Sequence, residues 1–323
     1  MSSSLFADLL GQPQAVALLA ASLERGRLAP AYLLSGPAGV GRRLAALRFL
    51  EGVLAGPQGD RLIRRRLEAG NHPDLLWVEP TYSHQGRLIP QSQAEEAGVS
   101  RRSPPQLRLE QVREISRFLA RSPVEARGCL VVIDAAEAMA EAAANALLKT
   151  LEEPGEGLLL LITAAPEQLL TTIRSRCQSV PFGRLEPGAL QQVLERCGAQ
   201  APGQEPPELL ELAAGSPGAL IAHRSQWQQL PVGLTSALVE LAARPAALGQ
   251  RGPLALLQLA AQICDGLEGE QQLWLLQWWQ LALWRGGCTQ AVVERLNRLR
   301  SQLLAYVQPR LAWEVALLDL AQL

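Results

Sequence analysis

Short, continuous apolar runs alternate with longer amphipathic stretches over the first 183 residues, and then the runs stop. Ala31-Tyr32-Leu33-Leu34, Leu75-Leu76-Trp77-Val78, Cys129-Leu130-Val131-Val132-Ile133-Asp134, Leu158-Leu159-Leu160-Leu161-Ile162-Thr163 and Val180-Pro181-Phe182 each read as a buried strand. Segments with helical spacing lie between them: Val16, Leu18, Leu19 and Leu23; Leu44 to Leu50; Leu109, Val112, Ile115, Phe118 and Leu119; and the alanine- and leucine-rich stretch from Glu141 to Glu153, stopped by Pro154-Gly155. Strands alternating with helices predict an α/β domain with a parallel sheet flanked by helices. Residues 80–106 are polar, carry Pro80, Pro90, Pro104 and Pro105, and predict a long surface loop. Residues 186–225 predict two or three short helices broken by Pro202, Pro206, Pro207 and Gly215-Ser216-Pro217-Gly218. Residues 231–323 predict helices alone, rich in leucine and alanine and carrying Trp274, Trp278, Trp279, Trp284 and Trp313. Interface aromatics and the core of a helical bundle account equally well for those tryptophans.

Chemistry enters where the first run ends. Ser35-Gly36-Pro37-Ala38-Gly39-Val40-Gly41-Arg42-Arg43 has the outline of a phosphate-binding loop, G-x-x-x-x-G-K-[ST], between a strand and a helix. Gly36, Gly39, Gly41, Arg42 and Arg43 are therefore the candidate nucleotide-binding residues. The two that would handle nucleotide are replaced. Arg42 stands where lysine reaches the β/γ-phosphates, and Arg43 stands where a hydroxyl holds Mg²⁺. Arginine is a wide planar fork and lysine a compact point charge; an arginine cannot ligate a cation at all. Lys149 is the only lysine of the chain, so arginine-biased composition accounts for position 42 but not for position 43. Asp134 is the candidate acid of the second nucleotide motif, yet Ala135 follows it where an acid would activate water. Glu137, three residues on, is expected to point elsewhere. Both losses predict a loop that hydrolyses ATP poorly or not at all, although its backbone N–H groups can still hold phosphate or sulfate.

The 323 residues fit two or three domains at roughly 100–200 residues each. A net charge of −1 excludes a polyelectrolyte partner for nucleic acid, so any DNA contact is local or supplied by other subunits. Five scattered cysteines with no C-x-x-C spacing point to a reducing cytoplasm and against a disulfide framework or a zinc site. No signal peptide is expected, since Met1-Ser2-Ser3-Ser4 runs into an amphipathic stretch without a basic region. No apolar run reaches the ~18 residues of a membrane span. Arg61, Arg64, Arg65 and Arg66 read as a solvated helix face or, alternatively, as a phosphate-binding patch.

Two further segments carry a family resemblance. Ala142-Ala143-Ala144-Asn145-Ala146-Leu147-Leu148-Lys149-Thr150-Leu151-Glu152-Glu153-Pro154 resembles the signature helix of bacterial DNA polymerase III clamp-loader subunits. Thr172-Ile173-Arg174-Ser175-Arg176-Cys177 contains that family's Ser-Arg-Cys motif at the family's spacing from the helix. The resemblance runs from about Leu5 to the end of the chain, and Gln308-Pro309-Arg310-Leu311-Ala312-Trp313-Glu314 looks like the last collar helix of such subunits. It implies a RecA-like AAA+ P-loop domain (1–183), a small helical lid (184–228) and an all-α collar for oligomerisation (229–323).

Within this family the motor subunits, gamma and tau, keep the lysine–threonine pair and the acid after the aspartate. The chain instead resembles the branch with a defective loop that keeps Ser-Arg-Cys. The resemblance implies a non-hydrolysing member of a pentameric loader, with gamma/tau and delta subunits, a sliding clamp and primed DNA as partners, and no membrane. It also implies that Arg176 acts in trans as an arginine finger on a neighbour's ATP, while no cofactor is held by this chain itself. Arg174 is expected to face elsewhere, and Thr163, at the family's sensor-1 position, to be structural. Two departures stand out. No cysteine precedes Cys129, so the four-cysteine zinc module that family members carry before His72-Pro73-Asp74 is absent, and packing must replace it. Gly215-Ser216-Pro217-Gly218 lacks the lid arginine of the motor subunits. Two rival readings stay open: an active ATPase using Arg42 for lysine, and a pure scaffold.

Overall fold

Each of the five apolar runs becomes a strand of one parallel sheet in the computed structural model, which describes residues 4–323 except 85, 95, 100–103, 154, 200–205 and 306. Met1–Ser3, Pro154 and Pro202, used in the readings above, lie outside the described residues.

The chain divides into two units, Met1–Ala201 with Gly215–Ala219, and Pro202–Ala214 with Leu220–Leu323. The first contains α1 (Pro13–Glu24), β1 (Ala31–Ser35), α2 (Arg42–Ala55), α3 (Arg61–Glu68), β2 (Leu75–Val78), β3 (Thr81–His84), β4 (Arg87–Pro90), α4 (Leu109–Leu119), β5 (Leu130–Ile133), α5 (Glu141–Glu152), β6 (Leu158–Thr163), α6 (Thr171–Arg174), β7 (Gln178–Pro181) and α7 (Pro187–Arg196). The strand order is β2-β5-β6-β1-β7. Pairing of Ser35 with both Thr163 and Pro181 brings the ends of β1, β6 and β7 level, so their following loops gather on the edge where open α/β sheets place their sites. Val131, Ile133, Leu159 and Leu161 meet Val112, Ile115, Leu147 and Leu151 of α4 and α5 in one core. On the opposite face the Tyr32 ring meets Phe49 of α2 edge-on, centroids 4.9 Å apart.

The predicted long loop at 80–106 is instead a β-hairpin of β3 and β4 followed by a short 3₁₀ turn at Gln91–Gln93. Tyr82 pairs with Ile89 in register, and the two pack with Ala94 and Val99 as a small separate core. A polar edge hairpin buries too few side chains to show as an apolar run.

Between α2 and His72, buried charge holds the chain. Arg48 and Glu51 lie on the inner face of α2, 5% and 1% exposed. Glu51 accepts from Arg64 Nε at 2.7 Å and from the Asp60 backbone N–H at 3.0 Å, while Arg48 reaches Asp8 at 2.6 Å and Glu68 at 2.9 Å. Asp60 in turn caps α3 through the N–H groups of Leu62 and Ile63. Arg66 grips Glu125 with both ends of its fork, at 2.7 and 2.9 Å. Of the four arginines read as a face or a patch, Arg64 and Arg66 thus tie the fold together, while Arg61 and Arg65 are exposed. The segment does not fit a zinc ion: it contains no cysteine, and among the described residues no group of three or more metal-ligating side chains assembles.

Asp74 is buried and accepts from the N–H groups of Val124, Glu125 and Ala126 at 2.7–2.8 Å. Burial alone would raise its pKa, but these three bonds carry it below the ordinary value.

The second unit is helical among the described residues: α8 (Glu208–Ala213), α9 (Pro217–Gln229, whose first residues belong to the first unit), α10 (Val232–Ala243), α11 (Pro253–Gly266), α12 (Gly269–Arg285), α13 (Gln290–Leu304) and α14 (Pro309–Leu320). The tryptophans resolve toward core packing. Trp278, Trp279 and Trp313 are fully buried, and Trp274 is nearly so. Trp313 Nε1 donates to Gln272 Oε1 at 3.0 Å, and Trp274 Nε1 to His223 Nδ1 at 2.9 Å. Of the five, Trp284 alone, at 61% exposed, is open to a partner. Among the described residues no helix is long and apolar enough to cross a membrane.

Candidate functional site

The loop between β1 and α2 has the backbone of a phosphate cradle, built where only glycine fits. A Cβ on Gly36, at φ +149°, would stand 2.2 Å from the Phe182 carbonyl oxygen. One on Gly39, at φ +76°, would stand 2.6 Å from Ser216 Oγ. The loop is also tied from outside. Ser216 Oγ donates to the Ala38 carbonyl at 2.6 Å, and the Gly218 N–H donates to the Gly39 carbonyl at 3.0 Å. Gln12, 4% exposed, donates to the carbonyls of Val40 and Gly183 and accepts from the Gly183 N–H.

The charges around this loop pair with one another. Arg43, at the hydroxyl position, places Nε 3.3 Å from Asp134 Oδ2, and its guanidinium lies 4.9 Å from the Trp77 ring centroid. A fixed positive charge thus sits against the acid that would otherwise face a metal ion. Asp134 Oδ1 accepts from the Ala135 N–H at 2.9 Å. Burial pushes the Asp134 carboxyl up from its ordinary value, against the opposing pull of Arg43, the Ala135 N–H and Arg42. Arg42, at the lysine position, is drawn down by burial and partly restored by Glu137 and Asp134; its Nη1 is buried without a hydrogen-bond partner among the described residues.

Glu137 does not point elsewhere. Ala135 adopts the left-handed conformation at φ +48°, and the 3₁₀ turn Ala136–Ala138 swings the chain back. Glu137 Oε1 then accepts from the Ala164 N–H just past β6, at 3.0 Å, with its charge within reach of Arg42. An alanine at positive φ is strained. Ala135→Gly is expected to stabilise the chain by about 1 kcal/mol, read as a rise in the denaturant midpoint. Thr163 is fully buried, and its Oγ1 accepts from the Ala165 N–H at 3.2 Å.

The loop residues therefore do not fit a magnesium nucleotide. The position of the metal-holding hydroxyl carries a cation, the acid it would work with is paired to that cation, and Ala135 offers no base. Gln12, Trp77, Glu79 and Ser216 also belong to this site, none of them expected there from the sequence; Glu79 opposes the charge of Asp134 through space. Ser216 sat within a flagged motif, but Gln12 and Trp77 carried no local signal.

Arg176 is not part of that cluster. It follows α6 on the surface, with Nη1 donating to the Thr172 carbonyl at 3.1 Å and Nη2 to Glu152 Oε1 at 2.7 Å. Its neighbours are structural. Ser175 Oγ donates to the same Thr172 carbonyl. The Cys177 thiol packs against the core, where burial pushes it up to about 11. Arg174 is exposed.

A parallel five-stranded sheet with a phosphate-type loop at this edge, joined to an all-helical unit, defines an AAA+-like P-loop protein. The solved gamma subunit-related protein of Thermotoga maritima shares this fold at 19% identity and a TM-score of 0.55, over 96% of this chain and 99% of that one. Residues 11–186 match the family described as DNA polymerase III, delta subunit, and residues 188–320 that described as cyanobacterial DNA polymerase III delta prime, C-terminal domain. DNA polymerase III subunit delta' of Pseudomonas aeruginosa is 38% identical over 215 residues, covering 63% of this chain and 58% of the relative. Its counterpart in Bacillus subtilis is 35% identical over 190 residues, covering 57% and 51%. The chain thus spans a little over half the length of these two relatives. It belongs to the DNA polymerase III delta-prime family of clamp-loader proteins, related to gamma/tau.

Proposed function

We propose that this chain serves as the stationary, non-hydrolysing subunit of a clamp loader, beside gamma/tau motor subunits and together with delta, in loading a sliding clamp onto primed DNA. Residues 1–183, 184–228 and 229–323 then act as AAA+ domain, lid and collar. Arg176 supplies a guanidinium in trans to the charge that develops on a neighbour's γ-phosphate. The observation that carries this reading is the internal pairing of Arg43 with Asp134, which occupies the chain's own site with its own charge, while Arg176 stands on the surface.

Co-purification with the motor subunits, followed by ATPase assay with and without this chain, tests it. The isolated chain is expected to show no turnover, and the assembled complex more than the motors alone. Turnover by the isolated chain would favour the active ATPase using Arg42. Assembly without any gain in rate would leave a scaffold.

A further inference from the structure

We propose that Glu152 is a positioning residue that parks Arg176 when no neighbouring phosphate is present. The inference rests on the trans role of Arg176 proposed above.

The geometry is specific. Among the described residues, Glu152 is the one carboxylate paired with Arg176, at 2.7 Å on Nη2, and the Thr172 carbonyl takes Nη1 at 3.1 Å. Both side chains spring from pinned backbone. Leu151, beside Glu152, and Ile173, three residues before Arg176, are 6% and 0% exposed and share one core. Core packing of α5 against α6, rather than a chance loop contact, therefore sets where the two charges meet.

The two contacts differ in what they do to the guanidinium. The Thr172 carbonyl is neutral and orients the fork without reducing its charge. Glu152 carries a full negative charge on the nitrogen that an incoming phosphate oxygen would seek. The guanidinium cannot serve both anions with the same N–H, so Glu152 competes with the neighbouring nucleotide. Both partners are substantially solvated, 36% and 51% exposed for Arg176 and Glu152, so the competition is weak and release is easy. Glu152 holds Arg176 in a defined pose yet lets it go.

The test is a double-mutant cycle in the reconstituted complex, without clamp or DNA: wild type, Glu152→Gln, Arg176→Ala and both together. Glu152→Gln keeps the side chain's length and removes its charge. It is expected to raise kcat/KM for ATP roughly two- to fivefold, the span of a typical exposed pair, because the guanidinium no longer has to leave a countercharge before it meets the phosphate. The double variant is expected to match Arg176→Ala, and the melting temperature of the Glu152→Gln chain alone to match wild type. If Arg176→Ala leaves turnover unchanged, the trans role itself fails. If Arg176→Ala lowers turnover while Glu152→Gln leaves it unchanged or reduces it, parking is overturned and the trans role stands. An increase that persists without Arg176, or a large fall in melting temperature, also overturns parking.

Discussion

Arg176→Ala is expected to lower the ATPase of the assembled complex sharply without weakening assembly. An arginine finger contributes roughly 10³–10⁵ in rate at the site it serves. The neighbouring site should therefore fall silent, and the total rate should drop by at least that site's share. The variant chain should fold and assemble normally. Arg176 is exposed, and the one ion pair it makes among the described residues, with Glu152, is half-solvated, a kind of contact worth about 0–1 kcal/mol. Arg176→Lys should not restore the rate, because a point charge cannot bridge two oxygens as the planar fork does. Steady-state turnover beside size-exclusion of the complex separates the two effects, and unchanged turnover rejects the finger role.

The largest effect on stability is expected at Glu51. Its carboxylate, 1% exposed, accepts from Arg64 and from the Asp60 N–H, and lies 3.9 Å from Arg48. Glu51→Ala would take away the carboxylate that Arg64 grips, strand the Asp60 N–H and loosen the cap of α3, while Arg48 keeps Asp8 and Glu68. Leaving a buried donor unsatisfied costs about 1–3 kcal/mol, a sizeable part of the ~5–15 kcal/mol that a domain typically has. Glu51→Gln keeps an acceptor for the Asp60 N–H and should cost less. Chemical denaturation of the two variants checks both the size and the order. A loss below about 1 kcal/mol for Glu51→Ala would show that water replaces the carboxylate freely.

The sheet was legible because its strands are buried on both faces and so read as unbroken apolar runs. The hairpin of β3 and β4 was not. Tyr82-Ser83-His84 and Arg87-Leu88-Ile89-Pro90 alternate weakly and contain a proline, which resembles loop composition more than strand. The losses at Arg42, Arg43 and Ala135 were legible because a motif assigns a chemical task to each position. What Arg43 does instead was not, since its partners are Trp77 of β2 and Asp134 just past β5, and only the sheet order brings them together. Glu137 was misjudged for a local reason. A turn that reverses direction through a left-handed residue usually advertises itself with glycine or asparagine, and here an alanine takes that conformation. The arginine run of α3 looked solvated because its chief partner, Glu51, lies hidden in the apolar sequence Phe49-Leu50-Glu51-Gly52-Val53. A lone acid in such a run was the available clue.

The Arg43–Asp134 pair also bears on how such a chain could change over time. A countercharge carried on the polypeptide cannot be chelated or diluted away, so the Arg43–Asp134 pairing itself does not depend on the supply of divalent ions. The same tether acts as a ratchet. Losing Arg43 alone would strand a largely buried aspartate without creating a catalyst, because positions 42 and 135 would still be wrong. On the non-hydrolysing role proposed above, a return to hydrolysis would need several coordinated substitutions, and the first of them would cost folding stability before any activity is gained.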